Sequence, residues 1–506
     1  MIQYGLKEEQ ITAIQNILAQ HEEVEQAILF GSRAKGNYKP ASDIDLILKG
    51  EKLNITIQNK IANELDDLLL PYIFDLSVFH QISNQELLEH IDRVGVIVYD
   101  QAASDWGKWK SMTLGEVCIK ITDGAHFSPK DDPSGLPMAS VKDLTRFGVN
   151  INSCRRISKE DFGFLVKQGC SPIKGDVLIA KDGNTSLDTV CVYNQDDDIV
   201  LLSSVAILRP NRKIVSSDFL NYFLDNPDTR NFLKDNFRSG SAIPRVILRD
   251  FRNVSIDVPN LKIQHSISTI LRRLDDKIEL NRQTNQTLEE IAKMLFQEMC
   301  VPKGDELPEG WKVGKLGDVC YVQNGFAFKS QDFIDRGEER IIKIKNISDN
   351  VVNVKDTDYV LSKTITKLDK KFMVNSGSLL IAMTGAEVGK IGLVPYSKEQ
   401  LWLNQRVGNF IEKIRYAKYY LYILLISEDY QNVLFNSAQG SAQPNISSTT
   451  IESIAVILPP KSVIDKFGNI VTPIFTQILE NIKQNQTLID LRENALSKLM
   501  NPGTVL

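Results

Sequence analysis

Two stretches of the chain place side chains at steps alternating between four and three. The first runs Leu274, Ile278, Asn281, Asn285, Leu288, Ala292, Leu295, Met299; the second runs Ile474, Ile478, Asn481, Asn485, Leu488, Arg492, Ala495, Leu499. This spacing lines one face of an α-helix and predicts a heptad seam with a polar centre. Each helix spans about 37 residues, roughly 55 Å at 1.5 Å per residue. That is too long to be covered by a single small module, so two equal helices most economically bury their stripes against each other. Buried asparagines cost stability but fix register and orientation. Pro473 falls within the second helical stretch and should kink it or else mark its true start; a late start is expected.

Elsewhere the apolar runs are short. Asp176 to Ala180, Val200 to Leu208, Leu379 to Met383 and Ile454 to Leu458 are rich in Val, Ile and Leu between Gly, Asn, Asp and Pro, and read as strands of mixed α/β modules. Near the N-terminus, Ala27 to Phe30, Asp43 to Leu48 and Tyr72 to Phe79 are strand-like as well.

The body is a tandem repeat. Trp109-Lys-Ser-Met-Thr-Leu-Gly-Glu-Val-Cys118 realigns with Trp311-Lys-Val-Gly-Lys-Leu-Gly-Asp-Val-Cys320 at a displacement of 202, as does Leu178-Ile-Ala180 with Leu380-Ile-Ala382. Gly240-Ser-Ala242 meets Gly440-Ser-Ala442, and Asn285-Gln-Thr-Leu288 meets Asn485-Gln-Thr-Leu488, both at 200. Collinear matches over so long a span define a duplication. The division predicted is 1–105, 106–259, 260–300, 301–459 and 460–506, each long helix closing its own repeat.

Composition adds a contrast within the chain. The 506 residues carry 59 Lys and Arg against 64 Asp and Glu. Residues 1–105 hold 8 basic and 17 acidic side chains, a balance of −9, which leaves the body at +4. An acidic module on a mildly basic body suggests two tasks. Six scattered cysteines without a Cys-x-x-Cys pair argue against a zinc ribbon or disulfide scaffold and fit a reducing cytoplasm. No apolar run is long enough to span a bilayer, so a cytoplasmic protein without membrane contact is expected.

Two readers on helices of set length suit a target with two half-sites at fixed spacing, as in DNA-binding dimers. Candidate contacts in the first module are Lys142, Arg146, Lys181, Asn184, Arg238, Ser239 and Arg245. In the second they are Lys343, Lys345, Asn346, Thr384, Asn404, Gln405, Arg406, Gln439, Gln443 and Asn445. Arg, Lys, Asn and Gln pair with base edges or neutralise phosphates; any one of them taken singly is more often a solvated surface side chain. Residues 106–500 resemble the specificity subunit of type I restriction–modification systems. The marks are the helical stretch Ile270 to Glu289, the preceding Val258-Pro259 and Leu458-Pro459-Pro460, the Gly240-Ser-Ala-Ile-Pro244 lead-in and the Trp-x-x-x-x-Leu-Gly-Glu/Asp-Val openings. The resemblance implies two target-recognition domains reading a split site in double-stranded DNA. It also implies antiparallel coiled-coil helices that dock two methyltransferase subunits, with restriction subunits joining the complex. No methylation motif or P-loop accompanies it; Gly385 to Lys390 falls one residue short of a phosphate loop and is followed by Ile391.

The acidic module carries chemistry of its own. Alternation in a strand puts Asp43 and Asp45 on one face, with carboxylates roughly 6–7 Å apart, where they can share hard divalent cations. Gly31 permits close backbone approach to a phosphate and Ser32 can donate to it. Asp75, in a third strand-like run, can be brought to the same cations. A lone Asp-x-Asp is more often a solvated turn, but here it lies between apolar strand residues and follows Gly31-Ser32. Residues 5–100 resemble the minimal nucleotidyltransferases of the polymerase-β superfamily, through Gly31-Ser32-Arg33, Asp43-x-Asp45, Asp75, and the closing Asn84 to Tyr99 helix and strand. The resemblance implies Asp43, Asp45 and Asp75 as catalytic metal ligands, Gly31, Ser32 and Arg33 as nucleotide-binding, and Mg²⁺ with a nucleoside triphosphate as cofactors. Arg33 and Lys35 are expected as loop cations facing the triphosphate.

The fold expected is therefore a small α/β nucleotidyltransferase-like domain followed by two mixed α/β recognition domains joined by two long antiparallel helices. The function expected is DNA specificity with an appended transferase. The alternatives are an idle front module kept for interactions, or an enzyme modifying a partner protein with the body as its scaffold.

Overall fold

The computed structural model describes residues 2–101, 109–183, 186–239, 245–304, 306–438 and 444–501. The chain divides into two compact units, one of residues 1–272 and 493–506, the other of residues 273–492. Among the described residues no helix is long and apolar enough to cross a membrane, and all six cysteines are unpaired thiols.

In the first unit, the N-terminal module is a four-stranded sheet ordered Phe74–Val78, Ile44–Lys49, Gln26–Leu29, Val96–Asp100. Its pairs are antiparallel except Ile44–Lys49 with Phe74–Val78, which is parallel. Ile44, Leu46 and Leu48 bury on one face under the helices Glu8–Leu18 and Ile55–Asp66, which contribute Ile14, Leu18, Ile61 and Leu65. Asn54 caps the second of these, accepting from the backbone N–H of Thr56 and Ile57. On the other face Ile47 and Ile28 pack with Ile91 of the helix Gln85–Val94. Covering both faces leaves only the strand ends for chemistry.

The first recognition module packs two sheets. One is ordered Val190–Tyr193, Asp176–Ala180, Val205–Pro210, Cys118–Asp123; the other is Arg155–Ile157, Asp131–Ala139, Val200–Leu201. Strand Asp176–Ala180 is buried along its whole length, with Val177 and Ile179 in one core and Leu178 and Ala180 in another. Lys110–Thr113 pairs with Ser255–Val258, closing the module where the first long helix begins. That helix, Leu261–Cys300, buries Ile263, Ile267 and Leu271 in this unit with Leu496, Leu499 and Met500.

The second unit repeats the plan with a six-stranded and a five-stranded sheet. Leu379–Ala382 stands where Asp176–Ala180 stands in the first module, flanked by Val407–Glu412 and Ile391–Leu393. Lys312–Lys315 pairs with Ala455–Leu458. The second long helix spans Lys461–Leu499 and contains Pro473 in its interior. The late start expected from Pro473 is thus corrected. An interior proline costs about 3 kcal/mol, but Phe467, Val471 and Phe475 around it are completely buried in the module core, and Phe475 stacks on Tyr419 at 4.5 Å. Tertiary packing outweighs the local penalty.

Within this unit the two helices run antiparallel through a reciprocal asparagine layer. Asn281 Nδ2 donates to Asn485 Oδ1 at 2.8 Å, and Asn481 Nδ2 donates to Asn285 Oδ1 at 2.8 Å. Asn285 and Asn485 donate in turn to the carbonyls of Ile478 and Ile278. Each bond maps onto its mate at the displacement of 200. Beyond the layer the equivalence stops: Arg492 Nε meets Asp275 Oδ1 at 2.5 Å in a buried ion pair, whereas the corresponding positions are Ala292 and Phe475.

Candidate functional site

The N-terminal module collects its acids at one strand end. Asp45 and Asp75 are direct partners in the parallel pair, and Asp43 lies just before the strand, near enough for its charge to act on Asp45. Phe30 N donates to Asp45 O at 3.0 Å, so the strand before Gly31 delivers that turn to the carboxylates. Gly31 has φ +71°, and a Cβ there would lie 2.1 Å from Asp45 Oδ2. Only glycine fits between this turn and the acid. Burial, then the charges of Asp75 and Asp43, push the Asp45 carboxyl pKa up, while Arg33 opposes them. Ser32 is half-buried and Lys35 exposed.

Arg33 lies elsewhere than a phosphate-facing loop cation would. It is 1% exposed. Its Nε donates to the Ser42 and Asp43 carbonyls, Nη1 to Tyr4 O and Nη2 to Ser42 O. Tyr72 lies over the guanidinium at 4.3 Å. The expectation of a direct triphosphate contact is corrected: Arg33 holds the loop that carries Asp43, and its donors are spent on backbone. The tyrosine partner and the Tyr4 carbonyl are distant in sequence and gave no signal there.

In the second module three loops meet at one end of the central strand. Met383 N donates to Arg406 O, Ile446 N to Met383 O, and Thr384 bridges to Asn445. The first module repeats this, with Lys181 N donating to Ser204 O and Val246 N to Lys181 O. Here Gln405, Arg406 and Asn445 are exposed and Asn404 is half-buried. Arg238, Ser239 and Arg245 belong to a short strand pair at the equivalent place. Asn184, Gln439 and Gln443 lie outside the described residues.

Three expected contacts are corrected by burial. Lys181 is 5% exposed, its Nζ between Asp182 and Asp123. Asn346 is buried and caps its own turn, accepting from Lys343 N and donating to Asp356 O. Thr384 is buried with its hydroxyl on Pro444 O. Lys142 and Arg146, and Lys343 and Lys345, sit in a separate turn of each module. Arg146 pairs with Asp225, and Lys343 and Lys345 share Asp358. The Lys343-x-x-Asn346 spacing, matched by Ser140-x-x-Asp143 with its own capping bonds, was a signal for capping in place of recognition.

Comparison with known proteins agrees with this architecture. The model of the type I restriction modification DNA specificity domain matches residues 107–290 and again 308–489. The model of the polymerase beta nucleotidyltransferase domain matches residues 12–104. Curated relatives include the HindI specificity subunit of Haemophilus influenzae, 24% identical over 466 residues, covering 78% of this chain and 99% of the relative. Another is the MjaIX specificity subunit of Methanocaldococcus jannaschii, 26% identical and covering 56% of this chain and 68% of the relative. The crystal structure of a type I system S subunit from M. genitalium shares the fold, with a TM-score of 0.50 at 14% identity over 78% of this chain and 96% of that one. The chain belongs to the type I restriction–modification specificity-subunit family, with two copies of the specificity domain preceded by a polymerase-β-type nucleotidyltransferase domain.

Proposed function

We propose that this chain reads a split, asymmetric site in double-stranded DNA for a type I restriction–modification complex, one half-site per module. The modules are residues 106–259 and 301–459, and the helices 260–300 and 460–506 act as the ruler between them. The observation that carries the reading is the equivalent convergence of loops in both modules, at Lys181, Ser204 and Val246 and at Met383, Arg406 and Ile446. Arg406, Gln405 and Asn445 are its exposed contacts in the second module; Arg238 and Arg245 are proposed in the first, with Lys142 as a phosphate contact. Two methyltransferase subunits dock on the helices, and restriction subunits join them. Support comes from exposed apolar side chains at matching positions of both helices, Ile270 with Ile470 and Ile291 with Leu491. Selection from random duplex DNA tests this. A consensus of two blocks with a constant gap is expected, and salt-sensitive binding without a consensus overturns it.

The N-terminal module, residues 1–105, transfers a nucleotidyl group from a nucleoside triphosphate. Its carboxylates suit Mg²⁺ by chemistry: hard oxygens, two of them side by side, one with a raised pKa that a cation would relieve. Asp43, Asp45 and Asp75 are proposed as ligands of that cation, although among the described residues no group of three such side chains is preformed to hold a metal ion. Bound Mg²⁺ supplies charge neutralisation for the triphosphate and its pyrophosphate leaving group. Gly31 admits the phosphates against the acid edge, the Ser32 hydroxyl donates to them, and Arg33 fixes the Asp43 loop. A protein acceptor is favoured by Leu69 and Ile73, which are 88% and 70% exposed in the segment leading to Asp75. Incubation with labelled ATP, CTP, GTP and UTP, with and without the copurifying subunits, tests the assignment. Label transfer that survives Asp43→Ala/Asp45→Ala excludes this site.

A further inference from the structure

Each recognition module carries a cationic pocket at the end of its central strand opposite the reading loops. In the first module a cavity of about 400 Å³ opens around Lys174, Arg212 and Lys213. In the second, one of about 340 Å³ opens around Lys370, Lys371 and Lys418. The two occupy the same place in the duplicated fold. Both are built on the turn that enters the central strand, through Gly175 at φ +87° and Gly377 at φ +77°, a pair related by the displacement of 202. Gly175 N donates to Tyr193 O and Gly377 N to Val394 O, each at 2.7 Å. The lysines and arginines themselves do not align, so positive charge has been kept at this place by different residues.

The acids nearby leave cation in excess. Asp176 is consumed by two 2.8 Å bonds from Arg209, and Lys174 pairs with the exposed Asp196. Arg212 donates to a backbone carbonyl, and Lys213 has no ion pair among the described residues. In the second pocket Glu412 accepts from the Lys418 backbone N–H, Asp369 lies 3.5 Å from Lys371, and burial pushes the Lys418 ammonium pKa down.

We propose that these two pockets dock an acidic polypeptide segment, one copy in each module, belonging to a subunit that binds the chain twice. Carboxylates would meet the lysines. Both pockets lie at the end of the central strand opposite the loops proposed to read DNA, which favours a polypeptide over the duplex as their occupant. The duplication of the pocket matches a partner present in two copies, so the proposal rests on the reading of two methyltransferase subunits and places part of their attachment on the modules.

The test uses the full chain co-expressed with the methyltransferase subunit that copurifies with it, counting bound copies by native mass spectrometry. Lys370→Gln/Lys371→Gln and Lys174→Gln/Lys213→Gln change exposed side chains only. Each pair is expected to weaken one attachment by at least about tenfold, shifting the counts toward one partner, and the two pairs together toward none. The affinity of the chain for its selected duplex stays unchanged. Two partners at wild-type affinity in every variant overturns the proposal. So does a loss of duplex affinity with a shallower salt dependence, which assigns the pockets to phosphates. A wild-type chain that takes up no methyltransferase defeats the underlying reading as well, a result distinct from uptake that the variants leave intact.

Discussion

Asp45 and Asp75 stand opposite one another, residue for residue, in the single parallel strand pair of the N-terminal sheet. Burial, then repulsion from Asp75 and Asp43, disfavours the charged Asp45 side chain, which lies under a turn that only Gly31 can make. A divalent cation bound there would relieve that cost.

Asp45→Asn should reveal that repulsion as a pH effect. Folding raises the Asp45 pKa, so its contribution to stability is full below the ordinary carboxylate range and lost as pH rises through the raised value. The substitution is expected to raise the thermal midpoint of the module at about pH 7 and to leave it nearly unchanged at about pH 3. Added Mg²⁺ should raise the wild-type midpoint more than that of the variant. A midpoint lowered at neutral pH would remove the argument.

Gly31→Ala places a methyl group 2.1 Å from Asp45 Oδ2 at a φ of +71°. The carboxylate must move, and the backbone strain costs about 1–3 kcal/mol. Nucleotidyl transfer and the Mg²⁺-dependent rise in midpoint should both disappear, while duplex binding by the body is retained. Label transfer by the alanine variant would show that the turn does not face the reacting phosphates.

Arg33→Lys tests a positioning role. Lysine cannot reproduce the fork that satisfies Tyr4, Ser42 and Asp43. Loss of those charge-assisted bonds should cost about 2–4 kcal/mol in chemical unfolding of the module. Were Arg33 instead a phosphate ligand, the same change would raise the KM for triphosphate and spare stability.

Arg492→Ala leaves Asp275 buried without its cation, at an expected cost of about 3–5 kcal/mol. Asp275→Phe/Arg492→Ala copies the Phe475 and Ala292 found at the corresponding positions, and should recover most of that loss. Denaturant midpoints of the single and double variants decide it. A double variant no better than the single would show that the pair contributes more than charge balance.

Replacing Asn281, Asn285, Asn481 and Asn485 together by Leu should raise the denaturant midpoint while loosening register, because buried amides specify alignment at the expense of stability. Selected DNA sites should then tolerate several gap lengths where the wild type tolerates one. A stricter gap in the variant would contradict the role of the layer.

The long helices were legible because their signal is periodic and repeated: the heptad series named the asparagines that bond, whereas most of its apolar positions are half-buried and the buried Leu271, Phe296, Phe475 and Leu496 lie outside it. The Asp45–Asp75 pairing was legible only as an option, since sequence gives strands but not their neighbours. Loop chemistry was the least legible. Arg33, Lys181, Asn346 and Thr384 are polar residues in Gly- and Asp-rich stretches, indistinguishable in type from exposed contacts, and each proved to be occupied by partners that the fold brings from elsewhere. Pro473 misled for the complementary reason, a strong local rule overridden by the burial of Phe467, Val471 and Phe475.

The Asp275–Arg492 bond also bears on how the chain assembles as it is made. The first rod leaves the ribosome long before its mate, and in the interval the nearest complementary surface is the first rod of a neighbouring nascent copy. In such an illegitimate couple the antiparallel alignment would set Asp275 against Ala292 at both ends, and two carboxylates would be sealed from water with nothing to answer them. Two late rods would strand Arg492 against Phe475 in the same way. Pairing of like rods is thus penalised in both forms, and an early rod is reserved for a late one.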